Sequence, residues 1–226
     1  MKVCVLMPAL NEESSIGATI DDVDVEKLEE KGYDVEIVVV DGDSNDRTRE
    51  IAEEKGARVI IERRRGYGRA YKTGFESCKD CDIIVTGDAD GTYPFSTISE
   101  LIEILEGENL DFITTDRFGS QEEGAMSSMH RFGNMVLSIT LRFLYGVDIM
   151  DSQSGMWIFR RKKLDALNLT SDGMPLSEEI KIEAFSKLKA REVPIHYTKR
   201  IGEKKIRSFK DGLSCFWFLF KKKLAE

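Results

Sequence analysis

What most constrains this chain is a repeated alternation of short apolar runs with longer helical stretches. Residues 2–7, 35–40, 57–61 and 82–86 are strand-length segments dominated by Val, Ile and other apolar side chains. Between them lie residues 11–23 and 46–55, which read as helices, and a glycine-rich stretch, 66–74, that leads into another. Strands that alternate with helices pair in parallel, crossover helices cover both faces of the sheet, and ligands gather at the carboxyl ends of the strands. The expected fold class is therefore α/β, with a mostly parallel central sheet and helices on both faces. Beyond Pro94 the order continues with an amphipathic helix to residue 106, a strand at 111–115 and a polar loop at 119–128 of a size that serves as a lid. An apolar helix over 132–145 follows, then strands at 156–159 and 191–195 flanking a helix at 177–188.

Three polar clusters sit directly after apolar strands: Pro8-Ala9-Leu10-Asn11-Glu12, Asp41-Gly42-Asp43-Ser44-Asn45-Asp46, and Asp88-Ala89-Asp90. In a parallel sheet all three converge on one crevice. Carboxylates gathered there either repel one another or hold a cation, and Asp-x-Asp offers hard oxygen ligands to Mg²⁺ or Mn²⁺ that also bridge a diphosphate. Asp41-x-Asp43-x-Asn45 resembles the start of an EF-hand loop, but Asp46 stands at the sixth position and Ala52 at the twelfth, and a strand precedes it, so that reading fails. Asp46 or Ser44 is expected to cap the following helix. Asp41 and Asp43 as turn residues only is the plain alternative. Gly66-Tyr67-Gly68-Arg69-Ala70 lacks the third glycine and the position of a dinucleotide fingerprint. Its glycines are expected to let backbone approach a nucleotide, with Arg69 neutralising phosphate.

Charge and cysteine usage narrow the partners. The net charge of −8 divides into +6 over residues 191–226, with ten Lys/Arg against four Asp/Glu, and −14 over the rest. An acidic body repels nucleic acid, whereas a basic tail suits a phosphate-bearing ligand or an anionic lipid surface. The four cysteines form no dense framework and no charged-then-apolar leader precedes Val3, so a reducing setting is expected rather than a disulfide scaffold. Cys78-x-x-Cys81 has no second such pair to complete a metal site. No stretch of about 18 apolar residues is present. Leu213 to Phe220, followed by Lys221, Lys222 and Lys223, suits a helix lying in a headgroup layer or packed on the domain. The expected organisation is a catalytic domain over 1–206 and an amphipathic aromatic and basic helix over 207–226.

Taken in order, these motifs resemble the family 2 glycosyltransferases of GT-A fold, and especially the dolichyl-phosphate mannose synthase-like branch. The pieces are Pro8 to Glu12, Asp41 to Thr48, Gly66-x-Gly68-x-Ala70-x3-Gly74, Asp88-Ala89-Asp90, Asp151-Ser152-Gln153-Ser154-Gly155, and Val193-Pro194-Ile195-x-Tyr197-x2-Arg200-x-Gly202-x2-Lys205. The resemblance implies an inverting, metal-dependent transferase using Mg²⁺ or Mn²⁺, peripheral on the cytoplasmic face of a membrane, whose partners are a UDP- or GDP-linked sugar and a polyprenyl phosphate. By it, Pro8, Ala9, Glu12 and Asp41 hold the nucleoside, with Asn11, Asp43 and Ala89 beside them. Asp88 and Asp90 engage the diphosphate through metal, the sugar lies over Asp90, and Arg117, Arg131, Arg200 and Lys205 gather around the acceptor phosphate. Two departures stand out: Thr92 replaces a glutamine two residues beyond Asp90, and Asp41-Gly42 replaces a pair of aspartates.

An acceptor hydroxyl, unlike a phosphate, needs a general base, and Glu178 or Glu179 sits where relatives acting on sugar hydroxyls carry an acidic catalytic residue. The plain reading of both is helix-dipole stabilisation at a helix N-terminus. A nucleotidyltransferase or a non-catalytic nucleotide-binding module would use the same sheet and paired aspartates.

Overall fold

The computed structural model describes residues 1–202 and 208–225. Seven strands form one sheet in the order β3-β2-β1-β4-β6-β5-β7. Strands β1 (Lys2–Ala9), β2 (Asp34–Asp41), β3 (Arg58–Ile61) and β4 (Ile83–Thr86) are mutually parallel, as the alternation requires. β6 (Trp157–Arg160) runs antiparallel to both β4 and β5 (Phe112–Gln121), and β7 (Ala190–Tyr197) is parallel to β5. Val3 to Met7 are all buried, because helices cover both faces of β1. One of them, α4 (Tyr67–Ser77), lies so close to β1 that a Cβ on Gly74 would sit 2.4 Å from Leu6 Cδ1.

Three expectations need adjustment. The stretch expected as one helix over 11–23 is a turn followed by the shorter α1 (Ile16–Asp21), and a second helix, α2 (Val25–Glu30), begins just beyond it. Ser15 sits inside the protein and donates to Ala89 O at 2.8 Å, which starts α1 late. The helix after β2, α3 (Thr48–Glu54), is entered through Arg47. The Asp46 carboxylate accepts from Thr48 N at 3.0 Å and from Glu13 N at 3.2 Å, so it joins two turns as well as supporting the helix start. The polar loop expected over 119–128 is halved, because β5 continues past an irregularity to pair Ser120 and Gln121 with His196 and Tyr197.

The four cysteines are not all separate. Cys4 and Cys78 are joined as a disulfide with Cα atoms 6.5 Å apart, and Cys81 lies beside them in the core between β1 and α4. Cys4 and Cys78 are 74 residues apart and meet only because α4 packs on β1.

The C-terminal part completes the fold. α5 (Ile98–Gly107) covers the sheet next to β6, while α6 (Ser128–Tyr145), α7 (Leu176–Lys187) and α8 (Ser208–Ala225) stand together. Leu141, Val147, Ile149, Ile182 and Leu219 bury one another where they meet. Tyr145 Oη donates to Leu219 O at 2.6 Å. The Glu183 carboxylate accepts from Lys222 at 2.7 Å, from Lys187 at 2.6 Å and from Asn168 N at 3.0 Å. Burial pushes the Glu183 carboxyl up, but these donors outweigh it and hold it at about 2. Its stabilising effect is therefore present above the ordinary carboxylate range and is lost as pH falls toward 2. Glu183→Gln is expected to lower stability by about 2 kcal/mol at pH 7 and by almost nothing near pH 2, as read by urea unfolding at both pH values.

Candidate active site

β1, β2 and β4 end side by side, with Pro8 opposite Val40 and Ala9 opposite Asp41. The turns beyond β1 and β2 are laced together. Asn11 N donates to Ser44 Oγ at 2.8 Å, Asn45 N to Asn11 Oδ1 at 2.8 Å, and Glu12 N to Thr48 Oγ1 at 2.7 Å. Asn11 and Asp43 both hold positive φ, 52° and 65°, a conformation that short polar side chains tolerate best. Asp41 is fully buried and accepts from Ser44 N at 2.9 Å and from Ser44 Oγ.

Beyond these strand ends lies a two-lobed cleft. The first lobe, about 360 Å³, is walled by Pro8, Ala9, Glu12, Gly66, Asp88, Ala89 and Asp90, together with Gly42, Glu62, Arg64, Arg65 and Gly173. The second, about 310 Å³, adds Thr92, Arg117, His130, Asn134, Gln153 and Tyr197. Tyr67, Asp88, Asp90, Met174, Arg200 and Asp211 belong to both. The expected donor residues thus divide. Pro8, Ala9, Glu12, Gly66, Asp88, Ala89 and Asp90 meet in one place, while Asn11, Asp41 and Asp43 shape the turns behind the wall.

Gly68 and Arg69 are corrected. A Cβ on Gly68 would meet Ser171 O at 2.5 Å and Gly173 O at 3.0 Å, so this glycine admits the backbone of residues 171–173 rather than a nucleotide. Arg69 pairs with Asp172 at 2.5 Å, and Lys72 shares the same carboxylate. Besides Arg200, the basic groups that do face the first lobe are Arg64, paired with Glu62 at 2.6 Å, and Arg65, which donates to Gly42 O at 3.2 Å.

Asp90 is tightly held. Its Oδ1 accepts from Thr92 N at 3.1 Å and Thr92 Oγ1 at 2.6 Å, and its Oδ2 accepts from Arg200 Nη1 at 2.7 Å. Thr92, where the resemblance anticipates glutamine, therefore orients Asp90. Burial, then the neighbouring Asp90 charge, raises the Asp88 carboxyl above the ordinary carboxylate range, while Arg117 and Arg200 pull against them. Arg200 Nη2 also donates to Glu12 Oε1 at 2.5 Å. Glu12, Asp88 and Asp90 offer only carboxylate oxygens, and a guanidinium already bridges two of them, so the donor set fits Mg²⁺ or Mn²⁺.

Of the expected acceptor residues, Arg200 lines both lobes and Arg117 the second. Arg117 is buried, makes paired bonds of 2.6 and 2.9 Å to Asp151, and lies 5.2 Å over the Tyr197 ring. Arg131 is exposed and stacks on Phe118 at 5.5 Å without lining the cleft. Lys205 lies outside the described residues.

Glu178 and Glu179 begin α7 as expected, but neither lines the cleft. Glu178 is fully buried under the 151–155 segment and accepts from Gln153 Nε2 at 2.8 Å. Burial pushes its carboxyl up to about 8, so it is neutral around pH 7. Neighbouring Lys181 is pushed down to about 7 by burial and donates to Ser152 O and Ser154 O, each at 2.7 Å. Glu179 receives Thr170 N at 3.0 Å and Ser171 N at 2.8 Å, fastening the 168–172 loop. Both glutamates support the wall, and a general-base role for them is set aside.

Sequence reasoning missed Tyr67, His130, Asn134, Met174 and Asp211 as wall residues. His130 and Asn134 had a readable signal, since two polar side chains at i, i+4 on a helix rich in large apolar residues face one way. Asp211 had none, because only tertiary packing brings the first turn of α8 to the cleft.

Residues 4–167 match the family described as Glycosyl transferase family 2. The chain is 39% identical over 211 residues to the low-salt glycan biosynthesis hexosyltransferase Agl6 of Haloferax volcanii, covering 92% of this chain and 50% of that protein. It is 34% identical over 211 residues to a dolichyl-phosphate hexose transferase of the same organism, covering 93% of this chain and 89% of that one. The chain thus spans about half the length of the first of these curated relatives. Glucosyl-3-phosphoglycerate synthase of Mycobacterium tuberculosis, solved with uridine diphosphate, superposes with a TM-score of 0.77 at 22% identity, over 98% of this chain and 80% of that one. This likeness identifies the GT-A fold.

Proposed function

We propose that this chain, which belongs to glycosyl transferase family 2 and to its dolichyl-phosphate mannose synthase-like branch, is an inverting glycosyltransferase. It moves a hexose or N-acetylhexosamine from a UDP- or GDP-linked donor to the phosphate of a polyprenyl carrier at a membrane surface. One observation carries this reading. The second lobe is lined by residues of both α6 and α8, and the outer faces of these helices leave large apolar side chains uncovered. On α6 these include Phe132, Met135, Ile139 and Phe143, the last 86% exposed; on α8 they include Leu213, Trp217 and Leu224, with Trp217 63% exposed. Lys221, Lys222 and Lys223 follow the aromatic stretch of α8. Exposed aromatics beside lysines suit an anionic interface. No helix among the described residues is long and apolar enough to cross a membrane.

In this account the nucleoside diphosphate occupies the first lobe and the lipid phosphate the second, with Asp90 and Arg200 at their junction. Asp88 and Asp90, with Glu12 beside them, would hold a Mg²⁺ or Mn²⁺ ion, which would supply positive charge to the departing diphosphate. The acceptor oxygen needs no strong base, because the second phosphate pKa is about 6. That oxygen forms a bond to the anomeric carbon as the carbon–oxygen bond to the diphosphate breaks, and the bonding pair leaves on the nucleoside diphosphate. Attack opposite the leaving group inverts the centre. The chain contributes alignment: Thr92 fixes Asp90, Asp151 fixes Arg117, and Tyr197 lies under Arg117.

The test is incubation with Mg²⁺ or Mn²⁺, labelled UDP- and GDP-sugars, and liposomes containing polyprenyl phosphate. Metal-dependent label in the organic phase is expected, and label only on a sugar or protein hydroxyl contradicts the reading. Phe143→Glu combined with Trp217→Glu should reduce cosedimentation with anionic vesicles at least about tenfold at unchanged melting temperature, because charge on the face opposes insertion.

A further inference from the structure

Arg200 is the cationic group that stands between two of the cleft's carboxylates, and its backbone is fixed there. Thr198 N donates to Thr92 O at 3.1 Å, Thr198 Oγ1 to Gly91 O at 2.8 Å, and Ile201 N to Asp90 O at 2.9 Å. The Asp90–Thr92 turn is shaped to receive this segment. Gly91 holds φ +76°, and a Cβ there would sit 2.8 Å from Ile201 Cδ1. The segment thus delivers the guanidinium to Glu12 at 2.5 Å and Asp90 at 2.7 Å. Arg200 Nε is buried and has no partner among the described residues, so the fork keeps a donor for an incoming anion.

We propose that Arg200 is a resident counter-cation, holding Glu12 and Asp90 where the donor's divalent ion competes for the same oxygens, and that it moves to the acceptor anion once that ion arrives. This rests on the donor-site reading above and adds an order of events. Asp90 Oδ2 and Glu12 Oε1 cannot give their lone pairs fully to a guanidinium and a divalent cation together, and the two cations repel at such separations. A bare divalent ion is therefore a poor competitor, whereas one arriving with a diphosphate brings its own negative charge. Displacing the side chain leaves the anchored Thr198–Ile201 backbone in place. The freed fork already lines the second lobe, where an acceptor phosphate accepts two parallel hydrogen bonds. Donor binding thereby completes the acceptor site, and Arg200 is a positioning residue for the acceptor as well as a guard of the metal site.

The experiment measures Mn²⁺ binding by electron paramagnetic resonance of the free ion, first without nucleotide and then with UDP or GDP. It uses wild type, Arg200→Gln, Arg200→Lys, and Lys199→Gln, whose side chain pairs with Glu122. Arg200→Gln is expected to bind Mn²⁺ alone at least about tenfold tighter than wild type, while Arg200→Lys and Lys199→Gln stay within about threefold of it. With nucleotide present the gap between Arg200→Gln and wild type should narrow. Melting temperatures establish that each variant is folded. Unchanged or weaker Mn²⁺ binding by folded Arg200→Gln overturns the counter-cation role, even if wild type binds Mn²⁺ with nucleotide. Failure of wild type to bind Mn²⁺ with either nucleotide overturns the donor-site reading, and this inference with it.

Discussion

Asp90→Ala should lower the rate of sugar transfer at least about a thousandfold, the scale of losing a group that stabilises leaving-group charge. The same change should abolish the metal dependence of donor binding, measured by calorimetry with and without Mn²⁺. Asp90 sits at the junction of the two lobes, with Thr92 and Arg200 fixing both of its oxygens. Asp43→Ala is the contrast. Its carboxylate lies behind the wall, 3.5 Å from Arg49, and its loss should change the rate by less than about threefold, as befits an exposed turn residue. Equal losses from the two variants would contradict the placement of the donor diphosphate.

The second large effect concerns the Arg117–Asp151 pair. Asp151 is fully buried and accepts from Arg117 Nε, Arg117 Nη2 and Gln153 N. Burial pushes its carboxyl up, but the Arg117 guanidinium overrides this and keeps it below the ordinary carboxylate range. Asp151→Ala strands a buried cation, which costs about 3–5 kcal/mol, so the urea midpoint should fall sharply. Replacing both partners by Met and Leu should recover most of that loss, because no buried charge then remains unpaired. The double variant should stay poorly active, since it cannot present Arg117 to the second lobe. A double variant as unstable as Asp151→Ala would mean that the segment containing Asp151, rather than the charge pair, carries the effect.

How much of this was legible in the sequence follows from the range of each interaction. Val-rich runs and the turns after them are local, so β1, β2 and β4 and the convergence of Pro8, Glu12, Asp88 and Asp90 could be read directly. Reversal of β6 was not legible, because a four-residue apolar strand reads alike in either direction. Arg69 illustrates a misreading. A basic residue after glycines suggests a phosphate site, but Asp172 lies 103 residues away and only the packed loop shows that it neutralises Arg69. Glu178 and Glu179 look alike in sequence, and burial separates a neutral acid under one loop from a carboxylate that fastens another. Thr92 stood out as a departure, and the geometry gives it a task in holding Asp90. The first turn of α8 reaches the cleft through packing on α6 and α7, which no local pattern encodes.

The most direct measurement is phosphorus NMR of the products formed from a nucleoside-diphosphate sugar, Mn²⁺-free Mg²⁺ buffer and a short-chain polyprenyl phosphate, followed by proton NMR of the purified lipid product. The account predicts free nucleoside diphosphate, a new sugar phosphodiester signal, and an anomeric configuration opposite to that of the donor. Release of pyrophosphate, a retained anomeric configuration, or unchanged polyprenyl phosphate beside a glycosylated hydroxyl would contradict it.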